Sequence, residues 1–578
     1  MLVQNADIAT IFMTIADLLE IKGDNPFRIR AYRNAARIVD EWGSSLSEIL
    51  YREGALPRIP GVGKDLDGKI REILETGHCQ MLDRLRQEFP PHLTDLLEIP
   101  GVGPRKVRAL YEDLGIHDIR ELHRALKDHR VSPLPGFGER SEERLTKSVE
   151  ERLVKIRRYK LVTAAQYAAP LVAWLERAEG VSKVVIAGSF RRMRETVGDL
   201  DLLVATASPA AALDRFATFE GISHILAKGP TKASALLKSG IQVDLRAVQP
   251  ASFGAALLYF TGSKAHNIAL RKRAQERGFK INEYGVFRGT RMEAGETEES
   301  VYRVLGLPFI PPELREDRGE IVRAAQGSLP VLIAEKDLQG DLHAHTRRTD
   351  GRNSLSEMAE AARERGLSYL AITDHSRRLT MVHGLDVRDL REQGEEIDRL
   401  AQELSGVTIL KGIEVDILED GGLDLPDSAL QSLDVVVGAI HSKFGLSQKE
   451  QTRRILRAME NPRLNILAHP SGRLIGEREP YAIDLPKILK KARDAHVALE
   501  VNAHPERLDL TDVACRMAKE QGVLLSINSD AHSTGEFDNL RFGVGQARRG
   551  WIEKSDVLNA RPLGWVRAFL RKEAIREG

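Results

Sequence analysis

Cysteine is nearly missing. Only Cys79 and Cys515 occur in 578 residues, which excludes a disulfide framework and any zinc site built on thiolates. A metal held by this chain must take histidine nitrogens and carboxylate oxygens. Long apolar runs are missing too: the stretch 435–440 is among the longest, far short of the ~18 residues a membrane helix needs. Asp7 and Asp17 stand where a secretory leader would be basic and then apolar. The expectation is a cytoplasmic protein with no membrane partner. An excess of one charge is absent as well, since 85 Lys and Arg against 84 Asp and Glu leave a net +1, so the chain is not basic throughout.

What is present is length and a composition suited to folding, 42% hydrophobic with 29% charged. At ~150 residues per domain the chain holds several domains. Its neutrality is an average. Residues 151–280 carry +11, with Arg152, Lys155, Arg157, Arg158 and Lys160 at one end and Arg271, Lys272, Arg273, Arg277 and Lys280 at the other, whereas residues 341–578 carry −3. A polyanion would be drawn to the basic stretch, although a cluster such as 151–160 taken alone also fits a solvated helix face.

The first 150 residues have helical periodicity, punctuated by Pro60-Gly61-Val62-Gly63, Pro100-Gly101-Val102-Gly103 and Pro135-Gly136-Phe137-Gly138. Each precedes a helical pattern. A Gly-x-Gly turn at a helix start lets backbone N–H groups approach a phosphate without reading bases. The candidate DNA contacts are Gly61, Gly63, Gly101 and Gly103, with Arg105 and Lys106 beside the second turn. These motifs resemble the helix-hairpin-helix elements of DNA repair proteins, and the sequence around them is similar to the amino-terminal and fingers domains of family X DNA polymerases. The resemblance implies a 5'-phosphate-binding surface near Arg28, Tyr32 and Arg33, and sets Lys69 where some members carry a Schiff-base lysine for 5'-deoxyribose phosphate removal. Asp65 departs from the pattern, being acidic where those members are basic.

A β-branched run over 183–187 reads as a buried strand leading into Gly188-Ser189, then Arg191, Arg192 and Arg194. Gly188 permits close backbone approach, Ser189 offers donors, and Arg192 offers a fork for a triphosphate oxygen. Next, Gly198-Asp199-Leu200-Asp201 begins a strand whose alternation puts Asp199 and Asp201 on one face. Over 241–248 the same alternation separates Val243, Leu245 and Ala247 from Gln242, Asp244 and Arg246, so Asp244 joins the pair if the strands are neighbours. Three carboxylates can hold two divalent ions, Mg²⁺ or Mn²⁺, ~4 Å apart for nucleotidyl transfer. The combination resembles the nucleotidyltransferase palm of family X polymerases. By that resemblance Tyr259, Phe260, Thr261 and Gly262 pack against the sugar of an incoming deoxynucleoside triphosphate, Asn267 meets its base edge, Gly188, Ser189, Arg192 and Gly198 cradle its phosphates, and Lys264 contacts nucleotide or template.

The last 240 residues read differently. His343 and His345, Asp350, His375, Glu414, His441, His469, and Asp530 with His532 stand near the ends of apolar strand-like runs. Strand, ligand and helix repeat, the pattern of an α/β barrel whose strand ends converge. Two residues at i and i+2 face the same way on an extended segment. Nine nitrogen and oxygen ligands suit up to three ions of manganese, zinc or iron type. His383, His496 and His504 lie outside the pattern. The set resembles the polymerase and histidinol phosphatase (PHP) domain, with every metal position matched by type.

The expected architecture is therefore multidomain, α+β and α/β: a helical 5'-phosphate-binding domain over 1–85, helix-hairpin-helix fingers over 86–150, palm over 151–248, thumb over 249–315, linker over 316–338 and a (β/α)7-type PHP barrel over 339–578. The resemblance implies a monomeric DNA-repair polymerase that fills short gaps in gapped or nicked DNA and trims single-stranded 3' ends through the PHP site. Two other readings stay open: a PHP module that hydrolyses small phosphoesters or is structural, and a non-catalytic DNA end-binding scaffold.

Overall fold

The computed structural model describes residues 5–40, 46–53, 55–56, 59, 62–90, 93–99, 101–156 and 158–573. The chain divides into two compact units, Met1–Arg157 and Arg158–Gly578.

The first unit is helical among its described residues. Ile8, Phe12, Ile15 and Leu19 in helix Asn5–Lys22 pack on Ile29, Tyr32 and Ala36 in helix Pro26–Asp40 to make one core. A second core joins Val107, Leu110, Leu122, Leu126 and Val149. Gly101 and Gly136 both adopt φ of +85°, a left-handed conformation costly for other residues. The second and third turns thus share a backbone geometry as well as a sequence pattern.

In the second unit, helix Leu161–Glu176 leads into a five-stranded sheet. Its strands are β1 (Val181–Ile186), β2 (Asp199–Thr206), β3 (Ile222–Lys228), β4 (Lys232–Leu237) and β5 (Gln242–Val248), ordered β1-β2-β5-β4-β3. Only β2 and β5 pair in parallel. The run expected as a buried strand is instead the edge strand β1, in which Val184 is buried while Ser182 and Lys183 are exposed. Its β-branched residues suit an extended edge as well as a core, so composition alone could not separate the two. After β5 come helices Phe253–Thr261 and Lys264–Glu276, a three-stranded sheet (280–282, 285–288, 291–294) and helix Glu298–Val304.

The segment expected as linker, 316–338, is not a loose tether. Glu320 is fully buried and meets the His266 imidazole at 2.6 Å, and Ile333 sits in the core of the following barrel. Glu316, Arg318 and Glu320 are paired with Arg549, Asp512 and His266, while Arg323, Glu335 and Lys336 stay exposed.

Seven parallel strands follow in sequential order: β6 (Gly340–Asp341), β7 (Tyr369–Ile372), β8 (Thr408–Asp416), β9 (Val435–Ala439), β10 (Ile466–Leu467), β11 (Ala498–Asn502) and β12 (Leu525–Asn528). A parallel bridge between Ala344 and Ala531 brings the first and last strands alongside, nearly closing a barrel. Ile475, Leu508 and Phe542 of this barrel pack into the same apolar core as Leu200, Leu202 and Val243 of the five-stranded sheet. Among the described residues no helix is long and apolar enough to cross a membrane.

Candidate functional site

In the five-stranded sheet, parallel register sets Asp201 opposite Asp244. Strand alternation puts Asp199 on the same face, and one oxygen from each carboxylate lies within 4.8 Å of the others. The Ser234 hydroxyl and the Gln242 amide (3.0 Å) donate to Asp244 and fix its orientation. Gly188 has φ +61°, and a Cβ there would stand 2.2 Å from an Asp201 oxygen, so the turn admits only glycine. Burial first, then the charges of Asp199 and Asp244, push the Asp201 carboxyl up to about 7. Burial and Asp244 likewise raise Asp199. A divalent cation would relieve that repulsion, so the donor set fits such an ion.

The residues expected around a nucleotide gather beside this cluster. Ser189 lies in the single helical turn Gly188–Arg191. Arg191 donates to the Thr261 hydroxyl (2.8 Å) and forms a bidentate pair with Glu298, while Arg192 donates to the Thr261 carbonyl and to Glu316 (3.1 Å). Tyr259 and Phe260 meet edge to face at 5.0 Å, with Arg271 over the Tyr259 ring and Arg246 over Phe260. Gly198 directly precedes β2, and Lys264 is exposed at the first turn of its helix. Asn267 lies at the same turn, with its side-chain oxygen left without a hydrogen-bond partner. It is buried, and its amide donates to the Tyr259 carbonyl (2.7 Å), so here it holds the aromatic turn in place.

The barrel brings all nine expected ligands to one end. Three overlapping groups hold ligand atoms within 4.8 Å: His345, Asp350, His375 and His532; His343, His345 and Asp530; and His375, Glu414 and His441. His469 joins through Glu414 at 3.0 Å. His343 Nε2, His345 Nδ1, His375 Nδ1 and Glu414 Oε2 are buried without a hydrogen-bond partner. Buried polar atoms are rarely left so, and here four converge. His375 Nδ1 and Glu414 Oε2 approach to 2.8 Å outside hydrogen-bond alignment, as two lone pairs would around a shared cation. The residues therefore fit metal ions. Burial would depress His375, yet Glu414 and Asp350 lift it to about 10; His345, buried and facing His532 and His375, falls to about 4. The buried carboxylates of the centre would be balanced by bound cations in place of protons on the histidines.

Sequence reasoning missed the strand β11 and with it Glu500. This fully buried carboxylate bonds His343 Nδ1 at 2.7 Å and accepts the His469 N–H at 2.7 Å. It thereby aims His343 Nε2 at the cluster. Asp416 does the same for His441 Nδ1 (3.2 Å). A signal was present: Leu499-Glu500-Val501-Asn502 repeats the pattern of Ile413-Glu414-Val415-Asp416. Supporting partners of this kind cost ~10–100-fold in metal affinity or activity when removed. Glu500→Gln is expected to lower metal affinity by about that factor, read by calorimetric Mn²⁺ titration of the metal-stripped chain.

The expected contacts of the first unit are mixed. Gly61 lies outside the described residues. Gly63 and Gly103 cap helices Lys64–Thr76 and Pro104–Leu114 without a side-chain cap, leaving helix-start N–H groups open, and Arg105 is exposed. Lys106 folds back onto the Gly101 carbonyl at 2.9 Å. Tyr32 is a core residue, edge-on to Phe12, and Arg33 is spent on Asp17 and Glu20. Lys69 pairs with Asp65 at 2.5 Å; although burial works against it, Asp65 and Tyr32 hold the amine above its usual range. Imine chemistry needs the neutral amine, so Lys69 would have to leave Asp65 and give up a proton before acting as a Schiff-base nucleophile.

Comparison with known proteins adds four family matches: a helix-hairpin-helix domain over residues 3–79, a SAM-like helix-hairpin-helix tandem over 93–151, the DNA polymerase beta thumb over 256–316, and a PHP domain over 341–504. A Bacillus subtilis protein described as "DNA polymerase/3'-5' exonuclease PolX" is 41% identical over 573 residues, spanning 98% of this chain and 99% of its own. A "probable phosphatase" of Thermoanaerobacter sp. is 28% identical over 250 residues, which is 41% of this chain and 96% of that protein. Another from Acetivibrio thermocellus is 28% identical over 217 residues, 35% of this chain and 83% of its own.

Proposed function

The chain belongs to the bacterial family X DNA polymerases that carry a carboxy-terminal PHP domain, and from that premise we propose that it fills short gaps in DNA at the Asp199–Asp201–Asp244 centre and trims 3' ends at the PHP centre. It is a DNA polymerase and a 3'-5' exonuclease, and it uses divalent metal ions. The observation that carries the division of labour is the presence, within one compact unit, of a three-carboxylate face and a separate histidine-carboxylate nest.

Asp199, Asp201 and Asp244 would hold two Mg²⁺ or Mn²⁺ ions; the nine PHP ligands would hold up to three ions of manganese, zinc or iron type. When bound, such ions acidify the attacking hydroxyl or water and neutralise phosphate charge. The chain's residues do the rest. Gly188 lets the backbone approach the triphosphate, Ser189 donates to it, Arg192 supplies a cationic fork, and the Tyr259–Gly262 turn bears on the sugar. Gly63, Gly101, Gly103 and Arg105 grip DNA phosphates without base preference. The domain limits proposed are those expected from sequence, with 316–338 counted as packed structure. The chain acts as a monomer.

The test is the full chain on a one-nucleotide gap with Mg²⁺ or Mn²⁺. Extension by one residue is expected with nucleotides, 3' shortening without them, and neither after chelation. Because some PHP relatives are described as probable phosphatases, a small phosphomonoester belongs beside single-stranded DNA as a competing substrate. Faster turnover of the small ester would favour the phosphoester-hydrolase reading.

Since the Asp201 carboxyl sits at about 7, protons compete with metal below that value. Affinity of the palm for Mn²⁺ is expected to fall by up to ~10-fold per pH unit as pH drops through 7 toward 6. Mn²⁺ titration of a chain whose PHP site has been disabled would reveal it.

A further inference from the structure

One buried guanidinium of the barrel reaches into the palm. Arg549 ends helix Leu540–Arg549, which follows the strand-end ligands Asp530 and His532. It is 4% exposed. Its Nη1 donates to the main-chain oxygen of Arg192 (2.8 Å) and to Glu316 Oε1 (2.9 Å), and its Nη2 to Asp512 (2.8 Å). Glu316 Oε1 is also the acceptor of Arg192 Nε (3.1 Å). Arg192 and Arg549 therefore divide a single carboxylate oxygen. Asp512 in turn accepts from Arg318 at 2.9 Å.

A second observation places the same helix against the same turn. A Cβ on Gly545 would lie 2.4 Å from Met193 Cε, so the glycine makes room for the side chain that follows Arg192. Met193 has φ +52°, an unfavourable backbone for a non-glycine residue, held by this packing. Phe542, also on the helix, lies in the palm core.

Charge explains why the contact matters. Without Arg549, Glu316 would face only Arg192 and, on its other oxygen at 3.7 Å, the more exposed Arg194, and would draw the Arg192 fork away from a triphosphate. With Arg549 on the same oxygen, part of that negative charge is already taken, and Arg192 keeps cationic character for a ligand. We propose that Arg549 of the PHP barrel is a positioning residue for nucleotide binding in the palm, fixing the Arg192 backbone and sharing Glu316 so that Arg192 remains available to the triphosphate. The proposal rests on the reading of Arg192 as a triphosphate contact.

The experiment uses the full chain in single-nucleotide insertion on gapped DNA, with 3'-5' digestion of single-stranded DNA as the internal control. Arg549→Ala is expected to raise the nucleotide KM roughly tenfold, the worth of one charge-assisted hydrogen bond, with kcat and digestion within about twofold. Arg549→Lys restores part of the loss. Adding Glu316→Gln to Arg549→Ala lowers KM again, because the competing carboxylate charge is gone; a purely structural defect would not be repaired this way. In an Arg192→Ala background, Arg549→Ala adds nothing. An unchanged KM in Arg549→Ala, or a full tenfold rise on top of Arg192→Ala, overturns the proposal. If Arg192→Ala itself leaves KM unchanged, the reading of Arg192 fails instead. Should Arg549→Ala lose digestion as well through misfolding, Arg549→Lys and its Glu316→Gln double variant carry the same comparison, and no KM difference between them overturns it.

Discussion

His343→Ala is expected to reduce 3'-5' digestion by at least ~10³-fold, about 4 kcal/mol of transition-state stabilisation, while insertion on gapped DNA stays within about twofold. His343 is fully buried, and its Nε2 lies 3.5 Å from both Glu414 and Asp530 with no hydrogen-bond partner. It joins two carboxylates that otherwise belong to different groups of the nest. Removing the imidazole also strips Glu500 of its partner at 2.7 Å, which leaves a buried negative charge. Retained insertion by the same preparation shows that the loss is local. Wild-type digestion by this variant would sink the assignment of the exonuclease to the PHP centre.

Asp201→Asn is expected to produce the converse, a loss of insertion of at least ~10³-fold with digestion preserved. The amide fits the space beside Gly188 and keeps the register with Asp244, so shape is retained and charge alone is removed. The variant carries a second signature. The folded-state pKa of Asp201 is raised to about 7 from 3.8, so its ionised form costs the folded state stability, a penalty absent at low pH and full above 7. In chelator at pH 8, Asp201→Asn is therefore expected to melt at a higher temperature than the parent, with the gap narrowing as pH falls below 7 and closing only below the unfolded value of 3.8. A lower melting point at pH 8 would mean that the carboxylate has a stabilising partner.

What could be read from sequence follows the reach of local rules. Asp199 and Asp201 were legible because strand alternation has a period of two, and Asp244 because its neighbours Val243 and Leu245 are apolar. The PHP ligands were legible because six histidines and three carboxylates recur near the ends of apolar runs, a coincidence too large for residues without a shared task. Glu500 escaped because its one mark, the likeness of Leu499–Asn502 to Ile413–Asp416, is faint beside the histidines; its role stands out once β11 is seen beside β10. Lys183 was misplaced because β-branched residues serve an edge strand as well as a buried one. Arg192, Glu316 and Arg549 are separated by long stretches of chain, and no periodicity joins them. The +11 of residues 151–280 was legible as a sum but not in its use. Lys160 is spent on Glu477 and Glu506 of the barrel, while Arg271, Lys272, Arg277 and Lys280 stay exposed, where a phosphate backbone can reach them.

The apolar core shared by Ile475, Leu508 and Phe542 with the five-stranded sheet bears on how such a chain can change over generations. Two enzymes joined by a bare tether can be parted by a stop codon, leaving each lineage the one it needs. Here a chain ending before residue 339 would lose the exonuclease and uncover oily side chains of the polymerase in the same event. Loss of the trimming activity is thus more readily inherited as a change of ligand residue, with the barrel retained as an inert brace, than as a shortened gene.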